Sequence, residues 1–308
     1  MARQTVEEWI VEEYDSTVIR RIASTSVVEA RFTGKPMNSD AKRFPRSGGM
    51  SSGIVGKGAA YGEDVAVNDT VLIEAVKFGR VRRFADEDID DSFVNLLDDS
   101  KLSWASNHAV MLDNACLATN VAANGSTVPF NSIYRALSVA NAATAYVAGA
   151  NIVATAAGVV PTYDNIVTML SKVETGRYWS KANGIIIADT SFLATLRLIK
   201  DANGLPIFTS NPRAGEPDTL FGYPLVWSNG ARLSATATSD PTGAAIMVAV
   251  NPDYAFRGDR KPVETVVIDG KDGAAALTDE TLLKIRTRKG FVLAHEKAAA
   301  ILVATPAI

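Results

Sequence analysis

One long stretch, residues 86–118, constrains the fold of this chain most, because its apolar residues recur at helical spacing. Steps of three and four residues keep one face of a helix turned towards a core. The positions on that face are Ile89, Phe93, Leu96, Leu97, Trp104, His108, Met111 and Leu112. Acidic residues begin the stretch, where the helix dipole favours them, and Asn124-Gly125 follows as a stop signal. The sequence therefore predicts one amphipathic helix, which at 1.5 Å per residue spans on the order of 50 Å.

Composition excludes several classes of protein. The chain has 308 residues, of which 47% are hydrophobic, enough for one large core or two smaller ones. Its net charge of −3 argues against sequence-specific binding of nucleic acid as the main role. The single cysteine, Cys116, excludes an internal disulfide and fits a reducing compartment. No apolar run approaches the ~20 residues of a membrane helix, and the acidic N-terminus does not resemble a signal peptide. We therefore expect a soluble protein made inside the cell.

Two segments have no core of their own in the sequence. Thr5 and Glu8 form a capping box for a short helix that carries Trp9 and Ile10. Residues 34–62 contain many glycines and prolines and few large apolar side chains, a composition that cannot build a core by itself. We expect both segments to pack on other parts of the molecule or on a neighbouring copy.

The remaining patterns predict a mixed α+β chain. Apolar residues at helical spacing predict helices over 166–173 and 192–199. Alternating or continuous apolar runs predict strands over 26–32, 65–84, 185–188, 245–250, 263–268, 281–294 and 299–305. Residues 136–160 are rich in alanine and valine and carry no clear signal. Together the patterns indicate one compact region near 126–261 and one elongated region around the long helix.

The sequence contains little from which to build a catalytic or metal site. The glycines around Lys57 lack the spacing and the Ser or Thr of a phosphate-binding loop, and the acids at 86–91 lack that of a calcium loop. His108 lies on an apolar face, where a packing role is favoured, and His295 interrupts a strand. We expect no catalytic residues, no metal and no cofactor. A hydrolase that uses two carboxylates stays a remote alternative, because acidic residues are plentiful.

Residues 182–229 resemble the major capsid proteins of tailed phages with the Hong Kong 97-like fold. The likeness consists of a buried strand, a capped helix, the run Lys200-Asp201-Ala202-Asn203-Gly204-Leu205-Pro206-Ile207-Phe208, a loop, and Thr219-Leu220-Phe221-Gly222-Tyr223-Pro224-Leu225-Val226. Residues 84–92 resemble the start of the family's spine helix, and residues 286–300 resemble its late strand and bend. The resemblance covers nearly the whole chain.

The resemblance implies an α+β Hong Kong 97-like fold with a defined layout. Its segments are an N-terminal arm (1–33), an extended hairpin called the E-loop (34–76), a peripheral domain with the spine helix (77–125), an axial domain (126–261), return strands of the peripheral domain (262–295) and a C-terminal strand of the axial domain (296–308). In this family the arm and the E-loop lie on neighbouring subunits. The expected inter-subunit contacts are Trp9, Ile10, Arg43, Phe44, Arg46 and Lys57.

The implied function is that of a structural major capsid protein. It would assemble with itself into pentamers and hexamers of an icosahedral head around double-stranded DNA, in the cytoplasm of a bacterial host. Its further partners would be a portal and separate scaffold and decoration proteins, with no membrane. The alternative within the same fold is an encapsulin-like compartment shell, which holds cargo in place of a genome.

Some members of the family link an E-loop lysine to an asparagine of a neighbour, with the help of a glutamate. Here Gly58 stands at the lysine position, Thr281 at the acceptor position and Arg288 at the glutamate position. We therefore expect the shell to be held without covalent crosslinks.

Overall fold

The computed structural model describes residues 23–65, 68–92, 94–200, 208, 218–268 and 279–305. Within these ranges the α-helices are α1 (Val27–Arg31), α2 (Asp86–Asp91), α3 (Leu96–Leu117), α4 (Ile133–Ser138), α5 (Tyr163–Glu174) and α6 (Phe192–Leu198). The predicted capping box, Trp9, Ile10, Phe93 and most of the run 200–208 lie outside the described residues.

The strands form three sheets. They are β1 (Thr33–Pro36), β2 (Ala41–Arg46), β3 (Asp69–Glu74), β4 (Val76–Ala85), β5 (Ile152–Ala154), β6 (Ile185–Ala188), β7 (Thr219–Leu220), β8 (Tyr223–Trp227), β9 (Ala245–Val250), β10 (Ala255–Ile268), β11 (Glu280–Leu293) and β12 (Ala299–Ala304). One sheet has the order β1-β10-β11-β4, a second the order β5-β12-β9-β6-β8-β7, and β2 and β3 form a separate antiparallel pair. This mixture of helices and sheets confirms the predicted α+β class.

The chain divides into two compact units. One contains Arg80–Ala105 and Thr265–Ile285, and the other contains Ser24–Gly79, Ser106–Glu264 and Arg286–Ile308. In the first unit Phe84, Leu283 and Ile285 form a small apolar cluster. The second unit holds the large core, which is built on the six-stranded sheet.

The central strands β12, β9 and β6 of the six-stranded sheet are buried on both faces, and alternation along them assigns each side chain to one face. In β9, Ile246, Val248 and Val250 pack with α4 and the end of α3. Met247 and Ala249 pack with α5 and α6 on the opposite face. Because neither face meets water, the strands read as continuous apolar runs. The strands predicted at 185–188, 245–250 and 299–305 and the helices predicted at 166–173 and 192–199 are confirmed.

The prediction of one helix over residues 86–118 is wrong, since the structure contains two. Helix α2 ends at Asp91, and Ser92 is extended, with φ −79° and ψ 132°. The Ser92 hydroxyl accepts a hydrogen bond from the amide of Val94 and donates one to its carbonyl, which turns the chain. The Asn95 side chain then accepts from the amide of Asp98 at 3.1 Å and caps a new helix. Ile89 therefore belongs to α2, and the spine helix is α3.

The strand predicted over residues 26–32 is also wrong, because this segment forms helix α1. Ser26 caps the helix by accepting from the amide of Glu29 at 3.1 Å. The amides of Val27 and Val28 donate to the Asp113 carboxylate on α3. A tertiary partner thus satisfies the first amides of a short helix that is unstable alone.

Candidate assembly surfaces

Strands β2 and β3 form the two sides of a hairpin. Their register runs from Ala41 opposite Glu74 to Arg46 opposite Asp69. Beyond this pair, every residue from 47 to 65 is exposed. A turn at Gly56–Ala59, closed by a hydrogen bond from the Ala59 amide to the Gly56 carbonyl, places Lys57 in water. Gly58 has φ +80° in this turn, a backbone conformation that glycine tolerates.

The exposed part of this hairpin, residues 47–65, carries large apolar side chains. Ile54 is 104% exposed, Met50 87%, and Tyr61 and Val65 86% each. Single exposed apolar residues are normal on a protein surface, but a cluster of them marks an interaction site. Four large apolar side chains of this segment are therefore in contact with water in the isolated subunit.

Arg46 holds the root of the hairpin to the second unit's core. Its guanidinium donates to the Asp69 carboxylate in the adjacent strand and, through Nη1, to the Ala294 carbonyl at 2.8 Å. The Glu296 carboxylate lies 3.6 Å from the same nitrogen. The hydrogen bond from Arg46 lowers the pKa of Asp69 and keeps it charged. Arg46, which was predicted to contact a neighbour, thus has contacts within its own subunit, and its contact with a neighbour stays a prediction.

The segment that receives Arg46 is itself fixed by polar and aromatic contacts. Glu296 accepts hydrogen bonds from Asn141 at 2.7 Å and from Thr144 at 3.0 Å. The His295 ring stacks on Tyr178 with a centroid separation of 3.6 Å. Burial lowers the pKa of His295 from its usual 6.5 to about 4. The hairpin root therefore rests on a rigid, buried segment.

The other predicted contact residues of the hairpin differ in their surroundings. The Phe44 ring lies 5.2 Å from Phe256, and the Lys42 ammonium lies over Phe44. Arg43 is exposed, as is Lys57. Contacts of these residues with a neighbour stay a prediction.

The predicted core face of the long helix lies against two apolar clusters, one in each unit. Ile89, Leu96, Leu97 and Trp104 pack on the cluster of Phe84, Leu283 and Ile285. In the other unit Leu112 is buried and Met111 packs beside it. His108 is buried with its ring edge towards Phe78, at a centroid distance of 5.2 Å, and burial lowers its pKa. The observed surroundings of these residues are those of packing residues.

Asp113 has a structural role that no sequence pattern predicts. This buried carboxylate on α3 accepts hydrogen bonds from the hydroxyls of Ser26 and Ser228 and from the amides of Val27 and Val28. Burial raises the pKa of Asp113, while the four donors act in the opposite direction. The carboxylate joins α1 and the loop after β8 to the spine helix. Its partners lie far away along the chain, so no local pattern could reveal it.

We next consider metal sites and membrane-spanning helices among the described residues. They contain no group of three or more histidine, cysteine or acidic side chains placed to hold a metal ion. None of their helices is long and apolar enough to cross a membrane.

Comparisons with known proteins identify the family of this chain. A search of curated proteins finds no match. The sequence model of the phage capsid family matches residues 9–304. The chain belongs to this family.

Solved structures share the fold of this capsid protein over almost its whole length. The capsid of a native GTA particle matches with a TM-score of 0.70 and 18% identity, over 98% of this chain and 96% of that one. A chain of Microbacterium phage Oxtober96 matches with a TM-score of 0.71 and 15% identity, over 97% of each chain. A chain of Mycobacterium phage Adephagia matches with a TM-score of 0.68 and 17% identity, over 100% of this chain and 99% of that one.

The family match and the fold agree with the resemblance seen in residues 182–229. The protein is a structural major capsid protein of the virion. Neither the compartment-shell alternative nor the hydrolase alternative is favoured by these findings.

Proposed function

We propose that this capsid protein assembles with itself, without covalent links, into pentamers and hexamers of a closed icosahedral head around double-stranded DNA. The observation that carries the proposal is the hairpin segment 47–65, which is wholly exposed and carries Met50, Ile54, Tyr61 and Val65. Such a segment gains its contacts when another copy covers it. The chain then acts as a building block and not as an enzyme.

The energetics favour many modest contacts. Burying one large apolar side chain is worth roughly 1.5–3 kcal/mol. A hairpin that inserts a few of these into a neighbour gives a contact that is weak alone and durable when every copy is held by several others. The root is held at Arg46, whereas every residue of the segment 47–65 is exposed, so the same hairpin can meet a neighbour at slightly different angles in pentamers and hexamers.

The finer layout and partners are part of the proposal. We assign 1–33 to an arm that contacts neighbours through Trp9 and Ile10, 34–76 to the E-loop, 77–125 and 262–295 to a peripheral domain, and 126–261 and 296–308 to an axial domain. Assembly takes place in the host cytoplasm, with a portal and separate scaffold and decoration proteins as partners. The support is the family membership and the hairpin at 41–74.

Paired substitutions in the hairpin test the proposal. In the double variant Ile54→Ser, Tyr61→Ser we expect folded subunits with an unchanged circular dichroism spectrum, because both side chains are exposed. Shell yield, measured by sedimentation and electron microscopy, should fall about tenfold or more, since the apolar contact is lost. The matched control Ile54→Val, Tyr61→Phe keeps the apolar surface and should assemble normally.

Two results would contradict the proposal in different ways. Normal shells from the serine variant would show that the hairpin does not form the interface between subunits. A wild-type chain that stays monomeric at every protein and salt concentration would contradict the proposed self-assembly.

A further inference from the structure

The strands of the second unit carry an excess of positive charge. Its residues in β1, β4, β10 and β11 include eight basic side chains and two acidic ones, whereas the whole chain carries a net charge of −3. The basic residues are Lys35, Lys77, Arg257, Arg260, Lys261, Arg286, Arg288 and Lys289. Five of them, Arg257, Arg260, Arg286, Arg288 and Lys289, form ion pairs within the chain, and Lys35, Lys77 and Lys261 form none among the described residues.

A cavity of about 440 Å³ lies among these strands. It is lined by Glu29, Arg257, Asp259, Arg260, Lys261, Pro262 and Lys289. Both acids of the lining already form ion pairs, because the Lys289 ammonium lies 2.9 Å from Glu29 and 2.8 Å from Asp259. Arg257 also donates to Asp259. The remaining positive charges of the cavity belong to Arg260 and Lys261.

These two side chains are incompletely paired. Arg260 Nε lies 3.1 Å from Asp40, but its Nη1 is buried and has no hydrogen-bond partner among the described residues. Lys261 is exposed and forms no ion pair with any other described residue. Because Arg260 Nη1 is buried, Lys261 is the cation of this cavity that an anion from outside can reach, and a charge-assisted hydrogen bond to it would be favourable.

A second cavity extends the positive surface. It measures about 160 Å³ and is lined by Lys77, Lys261, Arg286, Thr287 and Arg288, so Lys261 belongs to both cavities. Arg286 is paired with Glu264 and Arg288 with Asp40. Lys77 is exposed and, like Lys261, has no ion pair among the described residues. We call the two cavities together the cationic surface.

The same chain also carries a matching acidic element. In helix α2 the side chains of Glu87, Asp88, Asp90 and Asp91 are exposed, and none of these carboxylates forms an ion pair within the described ranges. Four carboxylates within five residues of a helix, with no ion pair among the described residues, repel one another and favour a cationic partner. Each copy of the chain therefore supplies both members of a complementary pair.

We propose that the cationic surface of one subunit binds the acidic helix α2 of a second copy of this chain. The contact joins two unlike surfaces, so it is heterologous and can repeat around a ring or a closed shell. Carboxylates of α2 would meet the exposed side chains of Lys77 and Lys261 at the two cavities. The inference rests on the proposed self-assembly, to which it adds a specific electrostatic contact.

Charge reversal in both directions tests this contact in the full chain. Lys77→Glu with Lys261→Glu should lower shell yield about tenfold or more, and so should Asp88→Lys with Asp90→Lys, because each places like charges together. Combining all four changes should restore the yield to within about threefold of the wild type. Lys181→Glu, an exposed reversal elsewhere in the second unit, is the matched control and should assemble normally.

Crosslinking provides a second readout that does not depend on shell yield. Lys261→Cys and Asp90→Cys are made in separate chains, which are then mixed and treated with a short bismaleimide. A crosslinked dimer should form in the mixture and not in either chain alone. The native Cys116 is buried and burial raises the pKa of its thiol well above the usual value, so it should not react.

The outcomes separate the possible failures. Normal shells from both reversal variants, with no crosslinked dimer, would overturn this contact and leave self-assembly intact. Normal empty shells that lose DNA on reversal of Lys77 and Lys261 would assign the surface to packaged DNA and overturn the proposal. A wild-type chain that never assembles would overturn both self-assembly and this contact.

Discussion

His295 couples the stability of the folded chain to pH. Its ring is buried against Tyr178, and its Nδ1 accepts a hydrogen bond from the Lys297 amide at 3.1 Å. Burial lowers its pKa to about 4, whereas an unfolded histidine titrates near 6.5. The unfolded state therefore binds the proton first as pH falls. Stability is fully present above about pH 6.5 and falls towards pH 4, by a total on the order of 3 kcal/mol.

Replacement of His295 by asparagine should remove most of this pH dependence. The amide oxygen of asparagine can accept from the Lys297 amide, as Nδ1 does, but it does not titrate. Urea unfolding of wild type and His295→Asn between about pH 7 and pH 4.5 gives the free energy of unfolding for each. An equal decline in both proteins would show that other groups cause the acid sensitivity.

Asp113 should be among the least replaceable polar residues. Asp113→Asn turns one acceptor oxygen into a donor that faces hydroxyl and amide donors, so buried groups lose their partners. We expect a loss of about 2–4 kcal/mol in the free energy of unfolding. The control Asp240→Asn, at an exposed site in the same unit, should change it by less than about 0.5 kcal/mol. Equal losses in the two variants would contradict the assigned role.

The start of α3, directly after the break from α2, depends on a side-chain cap that contributes to stability. Asn95 caps α3, so Asn95→Ala should cost about 1 kcal/mol of stability, while Asn95→Ser should cost little because serine also caps. Thermal unfolding of the three proteins measures the difference. If alanine and serine behave alike, the second helix does not depend on this cap.

Strongly apolar elements could be predicted from sequence, and elements set by remote polar contacts could not. Strands β9 and β12 are buried on both faces, so their composition alone identifies them. Helix α1 reads as a strand because Val27 and Val28 have β-branched side chains, and it is helical because Asp113 accepts from its first amides. The apolar spacing continues through Ser92, so the periodicity could not reveal that the chain turns there.

The same limit applies to the candidate surfaces. Glycine and proline content predicted that residues 34–62 lack a core, and the exposure of 47–65 agrees with that expectation. The partners of Arg46 were not predictable, because Ala294 and Glu296 lie nearly 250 residues away in sequence. The cationic surface was not predictable for a related reason, since three separate strands supply Lys77, Lys261 and Arg286.

At the scale of the whole molecule, we expect mature particles to contain no covalent crosslinks. Gly58 has no side chain to react, Thr281 is buried and donates to Asp86 at 2.6 Å, and Arg288 is paired with Asp40. Particles boiled in denaturant and run on a gel should give one band near 32.7 kDa. A ladder of larger bands would show that this chain is joined by another chemistry.

The exposed hairpin also gives free and assembled subunits different sensitivities to proteases. Lys57 lies in an exposed turn, within a segment whose backbone makes few hydrogen bonds, which is the kind of site that trypsin cleaves first. In a shell the same bond would be covered by a neighbour. Under the proposed assembly, trypsin should therefore cleave free subunits after Lys57 and spare assembled shells, so a digest would distinguish the two populations.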